Sequence, residues 1–363
     1  MDNRMLLFGL HELEGIGWKT IFKLTTCLPE LEALFALSAE QIKAFNIKPQ
    51  QAELLVSRLT PSFIAQKLQQ YEQANIEFVT IWDAHYPDIL KETALPPWLL
   101  YYKGDTSLLK WPLLGMVGTR TPTAYGKKVA DDLSSSLTRA GFGIVSGLAR
   151  GIDSSSHIGA MRGDGKTIAV LGCAIDQIYP LENAPLYREI ETKGLLVSEY
   201  PIGMSLHPGM FPYRNRIIAG LSLGVIVVEA AERSGSLITV DLALEESRDV
   251  FAVPGPITSP KSKGVLELIK QGAKIVTSAE DIIEEYRAFM KQGVSHAEVP
   301  ASEALELTED ESKIVQFLSS DPTTIDELVE LSQYTFGHLH SVLLSLLMKK
   351  LIKQLPGFTY IAI

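Results

Sequence analysis

The sequence predicts an α/β protein. A doubly wound, mostly parallel sheet is flanked by an N-terminal helical domain and a C-terminal winged-helix domain. Three observations carry this reading. Between residues 110 and 290, short runs rich in Val and Ile alternate with helix-like stretches. Before them, apolar residues recur at helical spacing. After residue 307, three helical segments are followed by two short strands around Pro356-Gly357.

Residues 1–75 read as a helical domain. Leu6, Leu7, Leu10 and Leu13, then Ile21, Leu24, Leu28, Leu31, Leu34 and Phe35, follow helical periodicity broken by turn residues. L-E-G-I-G-W-K, Leu13 to Lys19, resembles the turn of a helix-hairpin-helix module, whose free amides can meet a phosphate. With only Lys19 and Lys23 nearby, it reads better as a tight turn between two core helices.

Residues 76–290 form the second domain. I-E-F-V-T-I-W and W-L-L-Y-Y-K predict two short strands, with Tyr86-Pro87 and Pro96-Pro97 excluding a helix between them. The later runs are Leu113–Val117, Gly143–Ser146, Thr167–Leu171, Leu195–Ser198, Val225–Val228, Val250–Val253 and Lys274–Val276. They are continuous rather than alternating, as in strands covered on both faces. Tyr125–Ala140 and Leu237–Ser247 have helical periodicity, giving a β-α-β rhythm.

Residues 291–307 read as a linker. In residues 308–363, T-E-D-E at 308–311 is a capping box ahead of Ile314, Val315, Phe317 and Leu318. The third helix carries Phe336, Gly337, His338, His340 and Ser341 where a base-reading helix needs Arg, Asn or Gln. This favours a protein-contact or regulatory role for the module.

The chain has 363 residues, 46% hydrophobic and 21% charged, which excludes disordered and collagen-like classes. Cys27 and Cys173 are the two cysteines, too few for a disulfide framework or a structural zinc site. Neither a secretory leader nor a long apolar span is apparent, so a cytoplasmic protein without a membrane partner is expected. The net charge of −10 argues against a basic surface that grips duplex DNA. The acidity is uneven: residues 110–287 hold 19 basic and 20 acidic residues, so an anion site is expected there.

In an open parallel sheet, ligands bind beyond the carboxyl ends of the strands. There the sequence places G-T-R-T-P (118–122), S-G-L-A-R-G-I-D (146–153), G-C-A-I-D (172–176), S-E-Y-P (198–201), E-A-A-E-R-S-G-S-L (229–237) and P-G-P (254–256). Small residues let backbone amides approach a ligand, and Arg120 and Arg150 supply guanidinium forks for phosphate oxygens. F-P-Y-R-N-R, Phe211 to Arg216, adds two rings, two arginines and an amide, equipment suited to unpaired nucleic acid. At least one of Arg214 and Arg216 is expected to pair with Glu199, Glu229 or Glu232.

Three motifs fail on inspection. A-M-R-G-D-G-K-T (160–167) resembles a phosphate loop, but a strand follows it and a helix precedes it, the reverse of the required order. No G-x-G-x-x-G follows the first parallel strand, so a dinucleotide-binding oxidoreductase is disfavoured. Ser146, Asp153 and His157 lack a nucleophile elbow, and the spacing of Asp153 and His157 suits a local helical contact better.

Read in order, V-G-T-R-T-P-T-A-Y-G, S-G-L-A-R-G-I-D-S-S-S-H, T-I-A-V-L-G, Y-P-L-E-N, S-E-Y-P, F-P-Y-R-N-R-I-I-A-G-L, V-V-E-A, S-G-S-L-I-T and F-A-V-P-G resemble the DNA processing protein A (DprA/Smf) family. The resemblance implies an extended Rossmann fold, preceded by a domain of sterile-alpha-motif type and followed by a winged helix. It further implies binding of single-stranded DNA, homodimers, and loading of the recombinase RecA during transformation, without catalysis or a cofactor. By motif position, the DNA-binding residues would be Gly118, Thr119, Arg120, Ser146, Gly147, Arg150, Phe211, Tyr213, Arg214, Asn215 and Arg216. About four neutralised phosphates per subunit would give a slope of log K against log salt near −3. Ala174 and Ser247 stand where the family commonly has glycine.

Two other classes remain open. A nucleotide hydrolase of the lysine-decarboxylase-like group would use Glu199 or Glu229 as a general base. Its P-G-G-x-G-T-x-x-E signature is replaced here by A-E-R-S-G-S-L-I-T. A scaffold that recruits a recombinase without gripping DNA is the third reading.

Overall fold

The computed structural model describes residues 1–288, 308–318, 323–348, 352–355 and 359–362. The expected linker at 291–307 and the Pro356-Gly357 turn lie outside the described residues. The chain divides into two compact units, residues 1–290 and 291–363.

The first unit opens with five helices, α1 (Asn3–His11), α2 (Trp18–Cys27), α3 (Ala39–Lys43), α4 (Pro49–Arg58) and α5 (Pro61–Gln73). The L-E-G-I-G-W-K segment is the turn between α1 and α2: Gly15 sits at φ +94 and Gly17 caps α2. These helices share a core with the first two strands, β1 (Glu77–Thr80) and β2 (Leu99–Gly104). Phe8 stacks on Phe78 with centroids 4.7 Å apart, and Tyr71 stacks on Tyr101 at 4.8 Å. Contrary to the expectation that Tyr86-Pro87 and Pro96-Pro97 exclude a helix between the two strands, a short one, α6 (Asp88–Lys91), starts directly after Pro87, because a proline ahead of the first turn costs no intrahelical hydrogen bond.

Seven further strands follow: β3 (Leu113–Gly118), β4 (Gly143–Ser146), β5 (Thr167–Val170), β6 (Leu195–Ser198), β7 (Gly224–Val228), β8 (Asp249–Ala252) and β9 (Lys274–Ile275). The nine-stranded sheet has the order β1-β2-β6-β5-β4-β3-β7-β8-β9. The pairs from β6 to β9 are parallel, whereas β1, β2 and β6 pair antiparallel. The connecting helices are α7 (Ala124–Arg139), α8 (Ile152–Gly163), α9 (Ala184–Lys193), α10 (Met210–Leu221), α11 (Gly235–Glu245), α12 (Lys263–Lys270) and α13 (Glu280–Glu285).

Both faces of the central strands are covered, which is why their sequences read as unbroken apolar runs. Along β3, Leu114 and Met116 join the core that includes Ala130, Ile152 and Ile282. Leu113 and Val117 join the opposite core, with Ile217, Val240 and Leu268. The chain runs from β3 through β4 and β5 to β6 in one direction, then returns to place β7 on the other side of β3. The carboxyl ends of β3 and β7 therefore form the switch point, where helices diverge and leave a crevice.

The second unit contains α14 (Glu309–Phe317), α15 (Ile325–Ser332) and α16 (Phe336–Met348), with β10 (Thr323–Thr324), β11 (Ile352–Leu355) and β12 (Thr359–Ala362) in the order β10-β12-β11. The Thr308–Glu311 capping box forms as expected. Ile314, Leu328, Leu339, Leu343, Leu346, Ile352 and Tyr360 make its core. In α16, Phe336, His338, His340 and Ser341 are exposed.

Candidate functional site

A cavity of about 390 Å³ opens at the switch point. Its wall includes Gly118 and Arg120 after β3, Asp153 on α8, Phe211, Arg214 and Asn215 on α10, and Ser234, Gly235 and Ser236 at the start of α11. Helix α11 thus directs its N-terminus, with its partial positive charge, at the cavity.

Arg120 sits on a loop whose shape is set by Glu229. The Thr119 amide donates to the Glu229 carbonyl at 2.8 Å. The Thr123 amide donates to Glu229 Oε2 at 2.8 Å, and the Thr123 hydroxyl donates to Oε1. Thr123 in turn caps α7 by accepting from the Gly126 amide. A side chain at Gly126 would collide with the Glu229 carboxylate. The loop is fixed from behind, while the Arg120 side chain is exposed and makes no hydrogen bond or ion pair among the described residues. Thr119 is half-buried on the same loop, outside the cavity wall.

Arg214 has the opposite character. It is 4% exposed and its Nη1 donates to the carbonyls of Gly147, at 2.9 Å, and Val170. Its Nε donates to Asn215 Oδ1 at 3.2 Å. Asp153 Oδ2 accepts from the amides of Gly147 at 3.2 Å and Ala149 at 3.4 Å. Burial pushes the Asp153 carboxyl up, and Arg214 pulls it back. Burial lowers the Arg214 pKa, opposed by Asp153. Arg214 therefore fastens α10 to the loop after β4, and a side chain at Gly147 would run into its guanidinium. It forms a charged floor, with the buried Asp153 carboxylate acting on it in the opposite sense.

The remaining expected residues disperse. Ser146 is fully buried and donates to the Met116 carbonyl at 2.6 Å, tying β4 to β3. Arg150 is exposed and chelates Glu182, with Nη2 to Oε2 at 2.7 Å. Arg216 is buried against Glu199, its Nη2 lying 2.5 Å from both carboxylate oxygens. This meets the expectation that one arginine of the pair would hold an acid. Tyr213 is exposed beside it, with the Arg216 guanidinium 4.3 Å from its ring centroid. It faces a different cavity, of about 480 Å³, next to the α1–α2 turn. Ala174 is buried and absent from the wall of the switch-point cavity.

The expected Asp153–His157 contact does not form. Asp153 turns to the amides of the preceding loop, and His157 Nδ1 meets Thr167 Oγ1 at 2.7 Å. Burial holds the imidazole neutral, its pKa lowered to about 3. Sequence reasoning marked the 229–237 loop but did not select Ser234–Ser236. The signal available was the Ser N-cap immediately ahead of a helical stretch. Among the described residues, no cluster of His, Cys, Asp and Glu is arranged to hold a metal, and no helix is long and apolar enough to cross a membrane.

The fold and crevice define a class: a Rossmann-type domain with an arginine-bearing crevice at its switch point, carried on one chain with a winged-helix unit. The family model for DNA recombination-mediator protein A matches residues 77–287, and that for the DprA winged helix domain matches residues 298–357. The chain belongs to the DNA processing protein A (DprA/Smf) family of recombination mediators. DNA processing protein DprA of Bacillus subtilis is 42% identical over 269 residues, covering 74% of this chain and 88% of the relative. The crystal structure of DNA processing protein A from Streptococcus pneumoniae superposes with a TM-score of 0.69 at 36% identity, covering 78% of this chain and 99% of that one. A structure of the Helicobacter pylori protein, concerned with its single-stranded DNA binding mode, has a TM-score of 0.53 at 32% identity, covering 60% of this chain and 97% of that one.

Proposed function

We propose that this chain binds single-stranded DNA at the switch-point crevice, without catalysis, and loads the recombinase RecA onto it as a homodimer. The observation that carries the reading is Arg120: an exposed guanidinium without a protein partner among the described residues, on a rigid loop, in the same cavity wall as Phe211 and the α11 N-terminus. A phosphate meets Arg120 and the helix amides, and a base lies against Phe211. The single-stranded DNA binding mode of the Helicobacter pylori relative supports the same ligand class.

The side-chain partners revise the expected salt dependence. Arg216 is sealed by Glu199 and Arg214 is committed to carbonyls, leaving Arg120 and, once freed from Glu182, Arg150 for phosphates. Two phosphates per subunit give a slope near −1.4 instead of −3, using about −0.7 per phosphate for single strands. Two subunits on one strand would add avidity.

The hydrolase alternative needs a free carboxylate in the crevice. Both Glu229 oxygens accept from Thr123, both Glu199 oxygens from Arg216, and Asp153 binds two amides. The binding reading accounts for these commitments better.

Fluorescence anisotropy with single-stranded and duplex oligonucleotides tests the proposal. Single strands should bind more tightly, and Arg120→Ala should weaken them about tenfold while the melting temperature holds. Unchanged affinity for Arg120→Ala would remove the crevice from the interface. Capture of the recombinase without any DNA shift would favour the scaffold reading.

A further inference from the structure

The Y-P-L-E-N segment, residues 179–183, has roles that the crevice does not absorb. Asn183 is structural: its Nδ2 donates to the Leu148 carbonyl at 2.9 Å and to Ser154 Oγ at 2.9 Å, pinning the loop after β4. Glu182 holds Arg150. Tyr179 has no comparable duty. It is 43% exposed, and its hydroxyl makes no hydrogen bond among the described residues. The nearby structural tyrosine is Tyr187, which is 4% exposed and donates to the Ile175 carbonyl at 2.6 Å.

The Tyr179 ring lies 5.1 Å from that of Phe211, at an interplanar angle of 41°. Phe211 is itself part of the crevice wall, seated against Gly172, where any side chain would strike the ring. The two rings form a step that leads from the crevice to the surface. A half-exposed ring with an idle hydroxyl, beside a second ring, is an arrangement that stacks unpaired bases without reading them.

We propose that Tyr179 is a base-stacking residue: an unpaired nucleobase leaving the crevice rests on its ring, next to Phe211. This rests on the single-stranded DNA reading above and extends that interface along the surface by one base. A Tyr179 patch that docks protein, together with the exposed Leu181, is the competing outcome.

The test uses the full chain, a labelled oligothymidine and an abasic oligomer of equal length. Tyr179→Ala should weaken oligothymidine binding about 5- to 150-fold, the range for loss of one stacked base. The salt slope should stay unchanged, because no phosphate contact is lost. Tyr179→Phe should match the wild type and Tyr179→Trp should equal or exceed it. The abasic oligomer should bind the wild type and Tyr179→Ala alike. Equal oligothymidine affinity for the wild type and Tyr179→Ala overturns the proposal, as does an equal loss on the abasic oligomer. If the wild type and Arg120→Ala differ while Tyr179→Ala does not, only this inference falls. If the wild type does not bind single strands, the functional reading falls first.

Discussion

Arg216→Met separates a structural arginine from a ligand-binding one. Arg216 Nη2 lies 2.5 Å from both Glu199 oxygens, and each side chain is 9% exposed. Removing one partner of a buried pair costs about 3–5 kcal/mol, because the other charge is left without compensation. Arg216 Nε and Nη1 have no hydrogen-bond partner among the described residues, so the pair is incompletely satisfied and the lower end, about 3 kcal/mol, is expected. At about 2–4 °C per kcal/mol, the melting temperature should fall by roughly 6–12 °C at pH 7. The loss should depend on pH. Burial raises the Glu199 pKa and Arg216 opposes this, so the variant's folded-state value lies further above the unfolded one. A raised carboxyl adds stability while protonated and loses it as pH climbs through the folded value. The deficit should therefore be smallest near pH 5 and reach full size above the folded pKa. Glu199→Gln added to Arg216→Met should recover much of it. Thermal unfolding by circular dichroism, with anisotropy on a single-stranded oligonucleotide in parallel, reads both roles. An unchanged melting temperature with tenfold weaker DNA binding would refute the structural assignment.

Glu182→Gln should tighten single-strand binding about threefold with the salt slope held near −1.4, because Arg150 then reaches its phosphate without first leaving a carboxylate; anisotropy at several salt concentrations checks this. Ser247→Gly should stabilise the first unit by about 1 kcal/mol, measured by thermal unfolding. Ser247 sits at φ +56 after α11, with its amide on the Leu244 carbonyl and that of Arg248 on the Ala243 carbonyl, the helix ending that glycine favours. His157 has a folded pKa near 3, below its ordinary value of 6.5, so its contribution is complete above pH 6.5 and is lost as pH falls toward 3. His157→Asn should flatten that limb of the stability curve.

The six strands from β3 to β8 were legible because burial on both faces imposes a sequence pattern that needs no knowledge of neighbours, whereas both residues of β9 are exposed. The strand ends were legible for the same reason. The partners of the arginines were not. Arg214 and Arg216 are two positions apart on one helix, about 200° around its axis, so they face different surroundings. One meets the carbonyls of Gly147 and Val170, the other the carboxylate of Glu199. Nothing within F-P-Y-R-N-R distinguishes them, since the deciding groups come from β4, β5 and the end of β6. Arg150 and Glu182 present the same difficulty across a helix and a strand. The union of α1–α5 with β1 and β2 was equally hidden, because an interleaved core of Phe8, Tyr71, Phe78 and Tyr101 leaves no periodic trace.

Net charge misleads for a related reason. The chain carries −10, which taken whole argues against a polyanionic ligand. Three acids in the loops after β5, β6 and β7 are already engaged: Glu182 by Arg150, Glu199 by Arg216 and Glu229 by Thr123. The charged residues of the cavity wall are Arg120, Arg214 and Asp153, a local balance of +1. At physiological salt, exposed charges beyond about 8 Å are largely screened, so a phosphate in the crevice responds to that local balance and to the α11 N-terminus. Distant carboxylates act chiefly on approach, slowing association without cancelling the bound-state contact. Salt should then affect the two rates differently. The off-rate should rise with salt as the Arg120 contact is screened. The on-rate should change little, because repulsion by the acidic surface and attraction by the crevice are screened together. A stopped-flow salt series that puts the whole dependence in the on-rate would contradict this local account.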